Sequence, residues 1–294
     1  MVVRNSISRK VFLTFNYTFL AIVTIVCLLP FIYLLAISFS SNAAIAGNKV
    51  FVIPVDFTIE PYHFVLRKNE FLKSVGVSFY RIILGVPLGM LMTVLAAYPL
   101  SKNKNQFRYR SFYSWYFIVT MVFSGGMIPG FIIMKMLGLI DSIGALVLPM
   151  SVSAWNIILM MNFIRNTPYE IQEAAFIDGA SHWRVLSTII LPISLPALAT
   201  ITLFTFVGHW NSWFDGLIYM NRPSNYPLQT FLRTIIVRFD PNYITERDLK
   251  FMETLSNRNV KAAQIFLSML PVAAVYPFLQ RYFISGISVG SVKG

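Results

Sequence analysis

Six long stretches with almost no Asp, Glu, Lys or Arg constrain this 294-residue chain more than any other feature. A helix needs about 20 apolar residues to cross the hydrocarbon core of a bilayer, and each stretch supplies roughly that many. Only 12% of the residues are charged, which is about half the share in a soluble globular domain. The sequence therefore predicts an all-α polytopic membrane protein, a single transmembrane domain over 1–294. The six predicted transmembrane helices cover approximately 12–38, 75–100, 111–134, 142–163, 186–208 and 262–284.

The first stretch follows Arg4, Arg9 and Lys10, so a cleaved signal peptide is an alternative for it. Ala44 and Ala46 offer a small-residue cleavage pattern. The apolar run before them is much longer than the apolar region of a signal peptide, so we favour an uncleaved transmembrane helix.

The placement of the basic residues predicts the orientation. Two short connecting pieces, 1–10 and 101–110, contain basic residues and no acid. Short loops rich in Lys and Arg stay on the cytoplasmic side of a membrane. Both termini are therefore expected to be cytoplasmic, with two sizeable loops, 39–73 and 209–261, on the outer side. The formal net charge of +12 then reflects membrane orientation and headgroups, and does not indicate nucleic acid.

The predicted cytoplasmic segment 165–185 is the most informative part of the chain. Its spacing predicts a short helix, a break and a second helix, since Thr167 and Glu170 form a capping-box pattern. Gly179 can end the first helix in the left-handed conformation, and Ser181 can cap the next one. Such a helix, tied to a membrane helix, could transmit force from a partner. On spacing alone, an ordinary connecting helix is equally compatible with this pattern.

A family resemblance separates these alternatives. The motif EAA-x3-G-x9-I-x-LP of ABC importer permeases is matched at every fixed position, by Glu173, Ala174, Ala175, Gly179, Ile189, Leu191 and Pro192. The segment 177–181, Ile-Asp-Gly-Ala-Ser, is similar to the variant found in carbohydrate importers. Weaker similarities lie at Gly138-Leu139-Ile140, Leu148-Pro149, Phe163-Ile164-Arg165 and Trp210-Asn211.

The resemblance implies the type I ABC importer fold and a non-catalytic permease subunit in a bacterial plasma membrane. In that family the motif lies on a coupling helix that docks on an ATPase subunit. The residues implied to dock are Glu173, Ala174, Ala175, Asp178 and Gly179. The implied partners are a second, different permease chain, two ATP-binding subunits that hold ATP and Mg²⁺, and an extracytoplasmic solute-binding protein on the outer loops. Alternating access would then move solute between the two permeases.

The solute path is sought among aromatic and hydrogen-bonding residues near the ends and middle of the spans, because sugars bind to both. The candidates are Arg81, Ser153, Trp155, Asn156, His209, Trp210 and Asn211. For Trp210 and the nearby Trp213, the alternative is an interfacial aromatic belt. Arg81 could meet an anionic ligand, but we favour snorkelling towards water. Asp215 is displaced from the position that an acid often occupies in the family, which leaves its role open.

Two further patterns concern helix shape. We call residues 165–185 the coupling segment, after the role that the resemblance implies for this coupling (EAA) loop. Pro192 and Pro196 lie four residues apart, and proline kinks a helix, so a kink is expected after this segment. The kink could act as a hinge or be static. Gly85 and Gly89 have the small-residue spacing typical of close helix packing in membranes.

Two other functions fit the sequence less well than a permease does. A secondary transporter usually places ionisable residues within its spans, and here only Arg81 qualifies. A membrane enzyme acting on lipid-linked sugars would need catalytic acids, and no spacing fixes such a pair. The sequence contains no phosphate-binding loop or metal-ligand motif, so no cofactor is expected in this chain. Among carbohydrate permeases it looks most similar to the complex-oligosaccharide branch, whose substrates include acidic fragments of alginate or pectin.

Overall fold

The computed structural model of the chain describes residues 7–237 and 257–290. All regular secondary structure in these ranges is helical, in agreement with the predicted fold class. The chain divides into two compact units. The first comprises Met1–Asn69 and Ile235–Met269, and the second comprises Glu70–Thr234 and Leu270–Gly294.

The first unit joins an apolar helix to a small polar cluster. It contains α1 (Ile7–Ser38), α2 (Asn42–Ala46), α3 (Glu60–Arg67) and the start of α15 (Asn257–Gly290). The large side chains of α1 are mostly exposed, as a lipid-facing helix requires. Beyond its end, the Ser40 hydroxyl donates to the Ala36 carbonyl and accepts from the Val55 amide. Asn259 donates to the Ser40 carbonyl and to the Asn42 side chain, so buried polar groups bind one another here.

The second unit contains most of the helices and most of the turns that connect them. Its helices are α4 (Asn69–Ser101), α5 (Arg110–Val122), α6 (Met127–Met136), α7 (Ile143–Val147), α8 (Ala154–Asn166), α9 (Tyr169–Ile177), α10 (His182–Val185), α11 (Leu191–Ile193), α12 (Leu195–Asn211), α13 (Phe214–Tyr219) and α14 (Leu228–Val237). A π-helical stretch, Leu186–Ile190, joins α10 to α11. The part of α15 after Met269 also belongs to this unit.

Three helices in the described ranges could cross a bilayer unbroken, by length and composition. They are Ile7–Ser38, Asn69–Ser101 and Arg258–Phe278. Three bent pairs of helices could each form one further crossing. Their bends are 114° between α5 and α6, 43° between Ile143–Met150 and α8, and 80° between His182–Ile193 and α12. Counting each pair as one span gives six, the number expected from the sequence.

The third predicted span, 111–134, is interrupted in the structure. α5 ends at Val122 and α6 begins at Met127, with non-helical residues between them. Gly126 has φ of +84°, in the region that glycine enters without a Cβ penalty. Apolar content alone cannot reveal this break, since the residues around it are as hydrophobic as the helices.

The kink predicted near Pro192 and Pro196 is confirmed. The helix bends by 80° at Ser194, between the two prolines. Proline lacks the amide hydrogen that would continue the helical ladder, and the π-helical turn just before it loosens the same ladder. The coupling segment and the long helix α12 therefore run in different directions.

The main core of the second unit lies beside this bend. Ala97 of α4, Ile157 and Met160 of α8, Ile190 before α11 and Ile201 of α12 are fully buried against one another. The helix α12 packs on α8, and α5 packs on α8 as well. Helices in a bilayer are held together by close packing and by interhelical hydrogen bonds, so this tightly packed cluster fixes the positions of the helices that carry the candidate sites.

Candidate functional site

The helix α9 exposes one face and anchors the other. Glu173, Ala174, Asp178 and Gly179 are exposed, whereas Ala175 is half-buried against the main core. Four of the five residues implied to dock are thus accessible on one short helix and its end. Ile177 stands beside them with 81% of its surface exposed, an unusual position for an isoleucine.

The anchored face of α9 is held by a buried lysine at the end of α4. The Lys102 ammonium donates to Gln172 Oε1 at 2.5 Å and lies 4.2 Å from the centre of the Tyr98 ring. The ring of Phe176 lies 5.4 Å from the same ammonium. Burial lowers the pKa of Lys102 to about 8. These contacts connect α9 to the end of α4.

The second helix of the coupling segment is joined to α4 in the same way. His182 Nδ1 lies 3.2 Å from the Tyr98 hydroxyl, and its ring packs edge-on against Phe176. Val185 and Leu186 are buried in the main core. The coupling segment is therefore packed as one piece with the ends of α4 and α12.

The local signals of the coupling segment were predicted in part correctly. Gly179 ends α9 with φ of +79°, and the Ser181 hydroxyl accepts from the Arg184 amide, as predicted. The capping box was wrong. Pro168 occupies the cap position of α9 without a side-chain bond, and the Thr167 hydroxyl donates to the Phe163 carbonyl of α8 instead. A threonine at a helix C-terminus can bond back to the preceding turn, and that alternative competes with capping.

At the other side of the unit, α4 and α12 approach closely through small residues. A Cβ added to Gly85 would lie 2.5 Å from His209 Nε2, and one added to Gly89 would lie 3.3 Å from the Thr205 methyl group. The close packing expected from the Gly85 and Gly89 spacing is therefore confirmed. Only a residue without a side chain leaves room for the imidazole ring of His209.

Arg81 forms the centre of a buried polar cluster. Its side chain is 0% exposed and forms an ion pair with Asp215. Its Nε donates to His209 Nδ1 at 3.2 Å, and one Nη donates to the Ser212 carbonyl at 3.4 Å. The other Nη lies 3.1 Å from Met150 Sδ. Snorkelling of Arg81 towards water was the wrong interpretation, because the guanidinium faces inward and has partners there.

Asp215 is the member of this cluster whose role the sequence left open. Its carboxylate also accepts from the Ser212 hydroxyl at 2.7 Å and the Gly216 amide at 2.9 Å. The ion pair joins α4 to the turn between α12 and α13. A useful signal was present in the sequence, since a lone arginine in a predicted span requires a nearby carboxylate to offset its desolvation.

The remaining solute-path candidates fall into buried and exposed groups. Trp210 is 1% exposed and packs on Phe79 and Phe206, so it is not a belt residue. Asn156 is buried and donates to the Thr205 hydroxyl at 3.2 Å. Ser153 caps α8, Trp155 is 59% exposed, and Asn211 is exposed. The structure brings Arg81 and His209 together and places Trp155 and Asn211 at the surface.

A second, more exposed ion pair lies in the turn after α13. Asp141 pairs with Arg222 at 3.2 Å and accepts from the amides of Asn221 and Arg222 and from the Asn225 side chain. Burial acts to raise the pKa of the Asp141 carboxyl. These hydrogen bonds and Arg222 together outweigh it, so the pKa lies below its ordinary value. The Arg222 side chain is 78% exposed, so this pair is a solvated one.

Within residues 7–237 and 257–290, no group of three or more His, Cys, Asp or Glu residues could hold a metal ion. The three histidines have separate surroundings where the structure describes them. The notable features are therefore two: an exposed, anchored coupling segment and a buried ion pair between α4 and α13.

Comparison with known proteins agrees with this arrangement. Residues 67–289 match the family "Binding-protein-dependent transport system inner membrane component". Protein LplC of Bacillus subtilis (strain 168) is 39% identical over 290 residues, covering 99% of this chain and 97% of LplC. The polygalacturonan/rhamnogalacturonan transport system permease protein YtcP of the same organism is 36% identical, covering 95% of this chain and 96% of YtcP.

One solved structure gives the same result in three dimensions. It is a crystal structure of a bacterial ABC transporter involved in the import of the acidic polysaccharide alginate. One of its chains is 33% identical, with a TM-score of 0.87, covering 96% of this chain and 100% of that one. The similarity covers the coupling segment and the bent pairs of helices alike. The chain belongs to the binding-protein-dependent transport system inner membrane component family, as a multi-pass subunit of an ABC transporter.

Proposed function

We propose that this chain is a permease subunit of an ATP-driven oligosaccharide importer. The observation that carries the proposal is the coupling segment, which exposes Glu173, Asp178 and Gly179 while its other face is fixed to α4. A helix placed in this way can receive a force from a partner and pass it to the membrane helices. The relatives supporting a saccharide as solute are the polygalacturonan/rhamnogalacturonan permease and the alginate importer.

The mechanism is alternating access driven by partner subunits. Two ATP-binding subunits, holding ATP and Mg²⁺, press on α9 and on the matching helix of a second, different permease. The contacts of Lys102 and His182 with α4 transmit the movement, and the 80° bend at Ser194 converts it into a change of direction along α12. A solute-binding protein delivers the saccharide to the outer loops 39–73 and 209–261. Both termini then lie in the cytoplasm, and the complex lies in the bacterial plasma membrane.

The coupling assignment is tested by copurification. Glu173→Lys reverses a charge on the exposed face, and Gly179→Pro removes the left-handed end of α9. Each change is expected to reduce the ATP-binding subunits recovered with the chain by tenfold or more. Recovery of an intact, ATP-hydrolysing complex from both variants would show that α9 is not the coupling element.

Two matched variants control for charge and strain. Glu170→Lys makes the same charge change in the exposed first turn of α9, outside the motif. Gly138→Pro makes the same substitution as Gly179→Pro at another left-handed helix end, since Gly138 follows α6 with φ of +67° and has equally open surroundings. Both controls are expected to retain the partner subunits.

We further propose that the solute is an acidic oligosaccharide. The two relatives support this, because polygalacturonan, rhamnogalacturonan and alginate all contain uronic acids. Stimulation of ATP hydrolysis is the measurement, with oligogalacturonides or alginate fragments compared with neutral oligosaccharides of equal length. Stimulation by the neutral sugars alone would contradict the acidic substrate while leaving the importer in place.

A further inference from the structure

A polar cavity of about 240 Å³ lies between the coupling helix and the ends of α4 and α8. Three cations line it: Lys102 after α4, Arg110 at the start of α5, and Arg165 near the end of α8. None of its described lining residues is an Asp or a Glu. The cavity therefore has positive charge on three walls and no carboxylate to balance it among the described residues that line it.

Lys102 and Arg165 have neutral partners. Lys102 donates to the Gln172 amide oxygen and faces two aromatic rings, and Arg165 donates to the Leu100 carbonyl at 3.0 Å. Lys102 is only 5% exposed. Lys102 is the buried member of the three, whereas Arg110 is half-buried and Arg165 is exposed. A buried cation without a counter-ion is costly, so an anion entering the cavity would stabilise Lys102, and the two guanidinium groups offer further charged donors.

A second cavity of about 300 Å³ lies on the other side of Lys102, and it is apolar. Lys102 and Gln106 line both cavities. The other walls are mainly hydrophobic, formed by Leu95, Pro99, Phe107, Trp183 and Leu186. Trp183 is 69% exposed although it is a large aromatic side chain. Tryptophan at such a position is typical of the boundary between headgroups and acyl chains.

The position of the two cavities along α4 decides what occupies them. α4 ends at Ser101, and both cavities lie at this end of a helix that can span the bilayer. The apolar cavity includes Leu95, one and a half turns before the end, while the basic cavity begins at Ser101. A ligand that fits both has a phosphate on one side and a hydrocarbon chain on the other, in the order found in a membrane leaflet.

We propose that this pair of cavities is a binding site for one anionic phospholipid from the leaflet on the coupling-helix side. Its phosphate lies among Lys102, Arg110 and Arg165, and an acyl chain lies against Leu95, Phe107 and Trp183. Basic pockets between membrane helices bind anionic headgroups in this manner. Because Gln172 and Tyr169 of α9 also line the basic cavity, the lipid braces the coupling helix against the membrane helices.

Native mass spectrometry of the full-length chain tests the site. The detergent-purified chain is offered phosphatidylglycerol and phosphatidylcholine with identical acyl chains in equal amounts. Phosphatidylglycerol is expected to occupy the chain at least tenfold more than phosphatidylcholine. Lys102→Met and Arg110→Ala should each reduce this preference about tenfold, whereas Lys104→Met and Arg108→Ala remove the same charge from the same loop and should leave it unchanged.

A second measurement locates the acyl chain and avoids the cationic variants. Phosphatidylglycerol with brominated acyl chains should quench the fluorescence of Trp183 more than brominated phosphatidylcholine does, with Trp183→Phe giving the background of the other tryptophans. Leu95→Trp, which fills the apolar cavity, should reduce phosphatidylglycerol binding with all cations in place.

Three results would overturn the proposal. One is equal occupancy by the two lipids, and another is equal loss of binding in Lys104→Met and Lys102→Met. The third is displacement of phosphatidylglycerol by millimolar inorganic phosphate, which would indicate a site for a soluble anion. Lipid occupancy is measured without transport, so its failure would leave the importer assignment intact.

Discussion

Two buried cations, Arg81 within α4 and Lys102 directly after it, have different surroundings. Arg81 has a carboxylate partner in Asp215 and further hydrogen bonds from the same chain. Lys102 has an amide and two aromatic rings, and no carboxylate contacts it among the described residues. The charge of Arg81 is balanced by a carboxylate, whereas the charge of Lys102 is not balanced by any of the described residues that contact it.

We call the contact of Arg81 with Asp215 and its neighbours the fixed joint, and the surroundings of Lys102 the adaptable site. A buried ion pair with several hydrogen bonds holds α4 to the α12–α13 turn, and breaking it leaves a charge without compensation. Cation–π contacts and an amide hydrogen bond are weaker, and they leave the ammonium able to accept an anionic partner. The chain thus combines an ion-paired contact near α13 with a contact near α9 that, on the proposal above, an anionic lipid would complete.

Removing the partner of Arg81 should have the largest effect. Asp215→Ala leaves a fully buried guanidinium unpaired, which is expected to lower the free energy of unfolding by about 3–5 kcal/mol. The midpoint of unfolding in detergent titrated with dodecyl sulfate measures the loss. Adding Arg81→Met to Asp215→Ala should restore most of it, because the buried charge is then gone.

An exposed pair provides the control for this prediction. Arg222→Ala removes the partner of Asp141, but the Arg222 side chain is 78% exposed. The expected cost is below about 1 kcal/mol, as for other solvated pairs. If Asp215→Ala cost no more than Arg222→Ala, the contact between α4 and the α12–α13 turn would not be the fixed joint.

The packing around the ion pair should give an intermediate effect. Gly85→Ala would place a methyl group 2.5 Å from His209 Nε2 and force α4 and α12 apart. Overpacking of this kind costs about 1–3 kcal/mol. Gly76→Ala is the matched change in the same helix, where no atom lies within 4 Å, and it should stabilise the helix by up to about 1 kcal/mol. Loss of stability in both variants to the same extent would mean that the His209 contact is unimportant.

The adaptable site should show the smallest effect, as a dependence on pH. Burial lowers the pKa of Lys102 to about 8, so its ammonium is lost as pH rises through that value. Binding of an anionic phospholipid is then expected to weaken a few-fold between pH 7 and pH 9. The other charged or titratable groups lining the two cavities are Arg110, Arg165, Tyr98, Tyr169 and His182. Lys102→Met should remove this dependence, and its persistence in that variant would assign the titration to another group.

Much of the fold could be predicted because it follows from local chemistry. Absence of charge over about 20 residues requires a membrane span, and the Pro192 and Pro196 pair requires a kink. The left-handed end of α9 at Gly179 and the cap at Ser181 depend on single residue types. Glu173 and Asp178 are exposed at this short helix. Their docking on an ATP-binding subunit is a proposal.

The parts that could not be predicted depend on contacts between distant residues. Arg81 and Asp215 are far apart in sequence, so the choice between snorkelling and pairing was decided by tertiary packing. Thr167 had two possible partners, and the preceding turn was preferred over the following one. Gln172 lies inside the coupling segment, but the motif does not include it and gives no indication of its hydrogen bond with Lys102.

The apolar length of α4 also has a consequence for the surrounding lipid. The 28 residues between Lys73 and Lys102 contain one charged side chain, Arg81, which is buried and paired with Asp215. At 1.5 Å per residue they extend about 42 Å, more than the roughly 30 Å thickness of a hydrocarbon core. A helix whose apolar stretch exceeds the core tilts, or the bilayer thickens around it. Because Tyr98 of α4 contacts both Lys102 and His182, a change in bilayer thickness would alter the tilt of the element to which the coupling segment is attached.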